Sequence, residues 1–291
     1  MFGAICGDIL GSTIEFDEVK YYDINKIKLR LDTDHITDDS ALTFAVADWL
    51  LHDIKSCYYN DVELKKKLAQ RFVQYSLHTF NNIRLGFGSS FRQWCFKADL
   101  VQEYEPYNSF GNGSGMRVSP VGWFFDTLEE TLRFAKLSAD VTHNHPEGEK
   151  GAMCIAAAVY LARTGRSKED IRSTLYQTFG YEYLRKSVVE IRENCSWSEI
   201  CQDIVPMAVN AFLESTDFET SVRLAISYGS DADTIAAMAG AIAEAHYGKI
   251  PKNIADFCRS KIPDPQLVLL DEFCDTVKGG AGCTQNNLKN C

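Results

Sequence analysis

Two long segments made almost entirely of small apolar residues restrict the possible folds of this sequence more than any other feature. Residues Gly151 to Ala162 and Ala236 to Ala245 are both rich in alanine, the residue with the highest helix propensity. Small side chains on all sides of a helix allow its neighbours to approach closely from several directions. The two segments are therefore predicted to be the central, most buried helices of the protein.

Most of the remaining chain has the spacing of amphipathic helices. Apolar residues recur every three or four positions from Ser40 to Ile54 and again from Val62 to Phe80. Only Lys26 to Leu31 resembles a strand. The pattern predicts one all-α domain over residues 1–277 and, after it, a flexible tail rich in Gly and Asn at 278–291. The other predicted helices are Leu128 to Ala139, Gly148 to Arg163, Lys168 to Phe179, Asp203 to Glu214, Phe218 to Ser227, Thr234 to His246 and Lys252 to Arg259.

Charge and cysteine usage narrow the functional classes. Of the 291 residues 45% are hydrophobic, and the formal net charge is −10, which argues against nucleic acid or an anionic membrane as the main partner. The N-terminus lacks the features of a signal peptide, and no apolar run is long enough to span a bilayer. The ten cysteines are scattered without a CxxC pair, so a zinc ribbon is not expected. A reducing, cytoplasmic setting is predicted.

A first acidic cluster, Thr37-Asp38-Asp39-Ser40, stands immediately before a predicted helix. One interpretation is an N-cap, because hydroxyl and carboxylate oxygens accept hydrogen bonds from the free N–H groups of the first helical turn. One carboxylate is enough for that task, however, and two adjacent ones repel each other. The second interpretation is a metal site.

A second cluster, Asp231-Ala232-Asp233-Thr234, has the same design and precedes the second alanine-rich helix. Capping and metal binding are again the two interpretations, and the repetition favours metal. Oxygen ligands without His or Cys favour Mg²⁺, or else Mn²⁺ or Ca²⁺, over zinc. The charge of the four carboxylates would be balanced by two divalent ions. Spacing alone does not show that the clusters meet in space.

Six short segments, taken in chain order, resemble motifs of the ADP-ribosylglycohydrolases, the family that includes the dinitrogenase reductase-activating glycohydrolase and the ADP-ribosyl-acceptor hydrolases of animals. The resemblance extends from Gly3 to about Gly248. Each segment alone is short, but six in the expected order are specific. They are Gly3 to Phe16, Thr37-Asp38-Asp39, Gly86-Phe87-Gly88, Gly111 to Arg117, Thr142-His143 and Asp231 to Thr234.

The resemblance implies an orthogonal helical bundle with the active site in loops at helix N-termini. It also implies a binuclear site for two Mg²⁺ ions, for which Mn²⁺ can substitute. Catalytic roles are implied for Glu15 and Asp39, since cleavage of a glycosidic bond needs a carboxylate to handle protons at the leaving group or at water. The implied metal ligands are Thr37, Asp38, Asp39, Asp231, Asp233 and Thr234.

The last motif departs from the family pattern, which usually reads Gly-Gly-Asp-Thr-Asp-Thr. Here Ser230 replaces the second glycine and Ala232 replaces the first threonine. Both acids and the final threonine are retained, so metal binding is expected to persist, while the geometry of the loop is left open.

The same resemblance implies that the loops bind ADP-ribose. Without the resemblance the glycine loops are typical of turns, but glycine also lets backbone N–H groups approach phosphate oxygens closely. Tyr104 and Phe110 are implied to stack on adenine, and His143 to contact the diphosphate or ribose. The implied substrate-binding residues are Gly86, Phe87, Gly88, Tyr104, Ser109, Phe110, Gly111, Asn112, Gly113, Met116 and His143.

The implied activity is Mg²⁺-dependent hydrolysis of the N-glycosidic bond between ADP-ribose and a modified protein side chain, with arginine as the first candidate and ADP-ribose as product. The alternatives are an O-linked (serine) or small-molecule acceptor, or a non-catalytic ADP-ribose-binding protein. Retention of every acid favours the enzyme, and the rim around Glu15, Asp34 and His143 is expected to select the acceptor. A monomer without membrane or nucleic-acid partners is predicted.

Overall fold

The computed structural model describes residues 1–15, 18–57, 60–80 and 85–279, except the side chains of residues 56 and 57. In these ranges the regular structure is helical, which confirms the predicted fold class, and the β-type pairing is an isolated bridge between Gly111 and Ile200. A π-helical turn, Gln74–Thr79, extends α4. The helices are α1 (Phe2–Gly11), α2 (Asp38–His52), α3 (Ile54–Cys57), α4 (Asp61–Val73), α5 (Ser89–Val101), α6 (Gly113–Met116), α7 (Ser119–Phe124), α8 (Leu128–Asp140), α9 (Pro146–Arg163), α10 (Lys168–Phe179), α11 (Val188–Asn194), α12 (Cys201–Glu214), α13 (Phe218–Ile226), α14 (Ala232–Tyr247), α15 (Lys252–Arg259) and α16 (Asp264–Gly279).

The helices predicted from periodicity are present, with ends shifted by a few residues. The strand-like segment Lys26 to Leu31 is not a strand: its first residue closes a 3₁₀ turn, Ile24–Lys26, and the rest is irregular. Helices α5 and α16 were not among the predicted ones. Of the predicted tail, residues 280–291 lie outside the described residues. Within the described parts of the chain, every helix is too short or too polar to cross a membrane.

The two alanine-rich segments form α9 and α14, and both are central, as predicted. Every residue of α14 from Ala232 to Ala245 is buried. Helix α9 packs against α14, α12 and α8, and most of its residues are also buried. Buried apolar side chains from the first helix to the last form one continuous cluster.

Helix α1 packs directly against the backbone of α14. Its glycines recur every four residues, at Gly3, Gly7 and Gly11, and so share one face. A Cβ atom on Gly7 would lie 2.0 Å from the carbonyl oxygen of Ala236, and one on Gly11 would lie 2.5 Å from the Cα of Asp233. Any side chain at these glycines would therefore push α1 away from the first turns of α14.

Candidate active site

Helix α1 also supports the start of α2, through the fully buried carboxylate of Asp8. Its oxygens accept hydrogen bonds from the backbone N–H groups of Thr37 and Ser40, both at 3.1 Å, and from both side-chain hydroxyl groups. Helix α1 therefore positions both acidic clusters. It holds the first cluster, at the start of α2, by hydrogen bonds and the second, at the start of α14, by backbone packing.

In the first cluster the capping role belongs to the threonine and not to the acids. Thr37 Oγ1 accepts a hydrogen bond from the Asp39 N–H at 3.3 Å and so caps α2. The backbone N–H of Asp38 donates to the Leu85 carbonyl at 2.8 Å, which holds the following glycine loop beside the cluster. The carboxylates of Asp38 and Asp39 are therefore not used to cap the helix.

The second cluster begins at Asp231, whose side chain forms no capping hydrogen bond to α14. Its Oδ2 instead accepts a hydrogen bond from the side-chain amide of Asn112, 119 residues away in the chain. The carboxylate of Asp233 accepts only the nearby N–H of Thr234, at 2.9 Å. Capping therefore accounts for one hydrogen bond of Asp233, but it does not explain the contact between Asp231 and Asn112.

The two clusters meet. The hydroxyl of Thr234 donates to Asp39 Oδ2 at 3.1 Å, joining the starts of α14 and α2. Carboxylate oxygens of Glu15, Asp231 and Asp233 all lie within 4.8 Å of one another. Together with Asp38 and Asp39 they form what we call the acid end of the site.

The acid end has the properties of a site for divalent cations. Asp39 Oδ1 is buried without a hydrogen-bond partner, and an orphaned carboxylate oxygen is costly unless a ligand satisfies it. Burial and neighbouring acids raise the pKa values of Asp38, Asp39 and Asp233 well above the ordinary range. Burial, followed by the charges of Asp231, Asp8 and Glu199, raises the pKa of Glu15 to about 8. Oxygen-only ligands with excess negative charge suit a hard divalent ion.

A cavity of about 640 Å³ opens from the acid end and contains nearly all of the predicted site residues. Its walls come from the turn after α1, from the starts of α2, α5 and α14, and from the loops before α6 and α12. Predicted residues in its lining are Glu15, Asp38, Asp39, Gly86, Phe87, Gly88, Ser109, Phe110, Gly111, Asn112, Gly113, Met116, His143, Asp231, Asp233 and Thr234.

Two predicted site residues do not line this cavity. The Thr37 hydroxyl donates to Asp8 Oδ1 at 2.7 Å and caps α2, so it faces the supporting helix. Tyr104 packs against the core, and its hydroxyl donates to Gln102 at 2.9 Å. Asp34, expected at the rim, is also outside the lining; it is buried and accepts hydrogen bonds from Thr13 Oγ1 and the Leu31 N–H.

The cavity also contains residues that the sequence did not single out. Tyr107 lines it where Tyr104 was expected, and its ring centroid lies 6.0 Å from that of His143. Glu199 lies exposed at the mouth, in the irregular segment before α12. No sequence motif indicates a role for Glu199. Its proximity follows from the pairing of its carbonyl with the Asn112 N–H at 2.8 Å.

The departure at Ser230 has a local explanation. Its hydroxyl accepts a hydrogen bond from the Ser198 N–H at 3.1 Å and lies 3.5 Å from the Ser198 carbonyl. The serine thus ties the loop before α14 to the segment that carries Glu199. Ala232, the other departure, is buried within α14 against Gly11.

Next to the acid end, and in contact with it through the Asn112–Asp231 hydrogen bond, lie Arg117, His143 and the loop Gly111 to Gly113, which we call the donor end. Arg117 is fully buried, its guanidinium carbon 4.2 Å from the centroid of the Phe72 ring. Burial lowers the pKa of Arg117 to about 10, so the side chain stays charged at neutral pH. Its Nε and Nη1 atoms are buried without partners. The site therefore pairs an acidic end with an end that offers positive charge and N–H groups.

The sequence is similar to known proteins of one kind. The family model described as ADP-ribosylglycohydrolase matches residues 1–277. The chain is 26% identical to ADP-ribosylhydrolase ARH3 of Homo sapiens, over 88% of this chain and 87% of the human protein. It is 27% identical to ADP-ribosylarginine hydrolase Tri1 of Pseudomonas putida (strain GB-1), over 85% of this chain and 69% of the bacterial one. A solved structure described as an ADP-ribosylglycohydrolase-related protein complex matches with a TM-score of 0.61 and 21% identity, covering 89% of this chain and 97% of its own; this likeness supports the fold.

Proposed function

The chain belongs to the ADP-ribosylglycohydrolase family and is a hydrolase of ADP-ribosyl bonds, and we propose that its substrates are proteins modified on arginine. It would release ADP-ribose from these side chains with the help of two Mg²⁺ ions. The observation that carries the proposal is the meeting of two helix N-termini at one acid end, through Thr234 and Asp39. Glu199, an exposed acid in the lining of the cavity, suits a cationic guanidinium acceptor.

The ligands proposed for the metal ions are Asp38, Asp39, Asp231, Asp233 and Thr234, with Thr37 as a further candidate. Bound Mg²⁺ would supply a Lewis acid that anchors and polarises hydroxyl groups of the ribose next to the scissile bond. The partnerless Asp39 Oδ1 is the oxygen with the clearest need for such an ion.

Glu15 is the proposed acid–base residue. Its carboxyl group lines the cavity within 4.8 Å of oxygens of Asp231 and Asp233, and in its protonated form it carries the proton that the leaving group needs. It donates this proton to the leaving nitrogen as the bond from that nitrogen to the anomeric carbon breaks. The resulting carboxylate then takes a proton from the water whose oxygen bonds to the same carbon. The products are ADP-ribose and the unmodified side chain.

The donor end is proposed to bind the rest of the ligand. Gly113 at the donor end, together with Gly86 and Gly88 in the loop beside Asp38, leaves room for backbone approach to the diphosphate, because glycine carries no Cβ atom. Of the aromatic residues that line this cavity (Phe87, Phe91, Tyr107 and Phe110), Phe110, which is 43% exposed, and Tyr107 are proposed to stack on adenine.

The test is release of free ADP-ribose from matched arginine-linked and serine-linked protein substrates, each with Mg²⁺ and with EDTA. Release from the arginine-linked substrate alone, abolished by EDTA and in Asp231→Asn, is the expected result. The matched control is Asp256→Asn, an exposed acid on α15 paired with Lys252 at 2.6 Å. Release from the serine-linked substrate alone, or equal release in EDTA, would overturn the acceptor or the metal requirement. No release from either would leave a small-molecule acceptor or a binding role.

A further inference from the structure

A buried hydrogen-bond chain runs from Arg117 through Thr142 to His143 at the donor end. Arg117 Nη2 donates to Thr142 Oγ1 at 2.8 Å, and Thr142 Oγ1 lies 2.7 Å from His143 Nδ1. Arg117 and Thr142 are fully buried, and His143 is 5% exposed. Water is therefore largely kept away from these three side chains, so their hydrogen bonds depend on protein partners; Arg117 Nη2 also donates to the Ser138 carbonyl, at 3.3 Å.

The direction of the chain follows from counting donors. A guanidinium group has no lone pair to offer, so Thr142 Oγ1 accepts from Arg117. The hydroxyl has one hydrogen of its own, and His143 Nδ1 is its acceptor among the described residues. A buried hydroxyl hydrogen without an acceptor is unfavourable. His143 Nδ1 therefore accepts, and the single hydrogen of the neutral ring lies on Nε2.

The surroundings keep the ring neutral. Burial, and then the charge of Arg117, lower the pKa of His143 well below its usual value. The titratable side chains that face the ring keep their charge state near neutral pH, since burial raises the pKa of Tyr107 to about 12 and Arg117 stays protonated. The Nε2–H group of His143 is thus a hydrogen-bond donor over the whole physiological pH range.

The glycine loop passes close to this donor, which opens onto the cavity. A Cβ atom at Gly113 would lie 3.1 Å from His143 Nε2, and one at Gly111 would lie 3.8 Å from it. His143 lines the cavity, and within the described chain no residue accepts a hydrogen bond from Nε2. An oxygen of a bound ligand is the partner that this arrangement leaves room for.

We propose that Arg117 and Thr142 are positioning residues, which fix His143 as an Nε2–H donor to an oxygen of the bound ADP-ribosyl group. The proposal rests on the proposed function only for the identity of that ligand. A neutral donor fixed in this way presents a hydrogen atom without competing for the protons that Glu15 handles.

The first test is direct. Long-range ¹H–¹⁵N NMR spectra of the full chain at pH 7, with the His143 signals assigned by loss in His143→Gln, should show a protonated Nε2 and a bare Nδ1. A proton on Nδ1, or on both nitrogens, would overturn the proposal.

The second test measures ADP-ribose affinity by calorimetry in the presence of Mg²⁺. Thr142→Val keeps the shape but removes the hydroxyl, so it should mix the two tautomers and weaken binding about 10-fold. Thr142→Ser should return both the single tautomer and most of the affinity. Unchanged affinity in Thr142→Val, or a Thr142→Ser variant that fails to restore the affinity, would contradict this positioning role, which we call the relay from Arg117 through Thr142 to His143. If Thr142→Val does not fold, the wild-type spectrum decides alone.

The two proposals fail separately. The predicted tautomer together with ADP-ribose binding, but without hydrolysis of either protein substrate, overturns the proposed function and leaves the relay intact. The wrong tautomer with normal hydrolysis overturns the relay alone. A wild-type chain that does not bind ADP-ribose overturns both.

Discussion

The acid end and the donor end of the cavity carry opposite charge, and each lacks a partner for it. No carboxylate of the acid end forms a salt bridge with a described lysine or arginine, and Arg117 has no described carboxylate partner. Buried charges without partners are unfavourable. At the acid end the penalty is mutual repulsion; at the donor end it is the lost hydration of one cation, partly offset by the Phe72 ring.

The difference shows how each end is to be completed. The acid end needs cations, and the donor end needs acceptor oxygens. A diphosphate sugar whose ribose hydroxyl groups are held by metal ions provides for both at once. The site therefore suits a ligand with an anionic part at the donor end and hydroxyl groups that metal ions would hold at the acid end. Substitutions at one end of the site should have different effects from substitutions at the other end.

The largest expected effect is at the acid end. Asp39→Asn removes a proposed metal ligand and should lower kcat/KM on the arginine-linked substrate by about 100-fold or more. In EDTA the same variant should unfold at a higher temperature than the wild type, because one of several mutually repelling acids has become neutral. Turnover assays and thermal melts with and without EDTA measure the two effects.

Asp256→Asn serves again as the control and should change neither quantity. Wild-type turnover by Asp39→Asn would remove the acid end from the mechanism. A lower melting temperature in EDTA would show instead that the carboxylate stabilises the metal-free fold.

A smaller effect is expected at the donor end. In Gly113→Ala the added methyl group would lie 3.1 Å from His143 Nε2, in the space assigned to the ligand. We expect KM to rise about 10-fold with little change in Mg²⁺ affinity. A small loss of stability is expected, because the buried His143 ring has to shift by a few tenths of an ångström to admit the methyl group. Steady-state kinetics measures the first effect and a Mg²⁺ titration the second.

Gly279→Ala is the matched control, since a methyl group there meets open space at the end of α16. An unchanged KM in Gly113→Ala would mean that the ligand does not occupy the space above His143.

The smallest effect is a pH dependence of the metal-free protein. The pKa of Glu15 is about 8 in the fold against an ordinary value of 4.5. Its contribution to the free energy of unfolding is therefore fully present below pH 4.5 and is lost as pH rises to about 8. In EDTA the wild type should lose a few degrees of melting temperature relative to Glu15→Gln across this range. The same pH dependence of the melting temperature in both proteins would contradict the raised pKa of Glu15. Saturating Mg²⁺ should remove the difference between the wild type and Glu15→Gln.

The acid end could be predicted from sequence because its residues are adjacent in the chain and begin helices. Thr37-Asp38-Asp39 and Asp231 to Thr234 each place several proposed ligands at one helical start, so only their meeting needed the structure. The donor end was less predictable. In an irregular segment no periodicity indicates whether Tyr104 or Tyr107 faces the cavity, and the left-handed Asn108, with φ of 54°, adds a further turn.

Some of what was missed had a signal. Helix α5 buries Phe91, Trp94, Cys95 and Ala98, whose helical spacing is visible in the sequence. Helix α16 similarly buries Leu270, Phe273 and Cys274. By contrast, the roles of Asp8 and Glu199 depend on contacts between segments distant in the chain, which no local pattern contains.

The glycine face of α1 has a consequence for how the site responds to heat. Because α1 contacts α14 through backbone and α2 through Asp8, the acid end cannot open locally without separating helices from the centre of the core. We therefore expect the site to belong to the most slowly exchanging cooperative unit of the protein. Because the site is preorganised, the protein chain should lose little conformational entropy when a ligand binds. Because the site should open only together with the core, inactivation on heating should coincide with global unfolding.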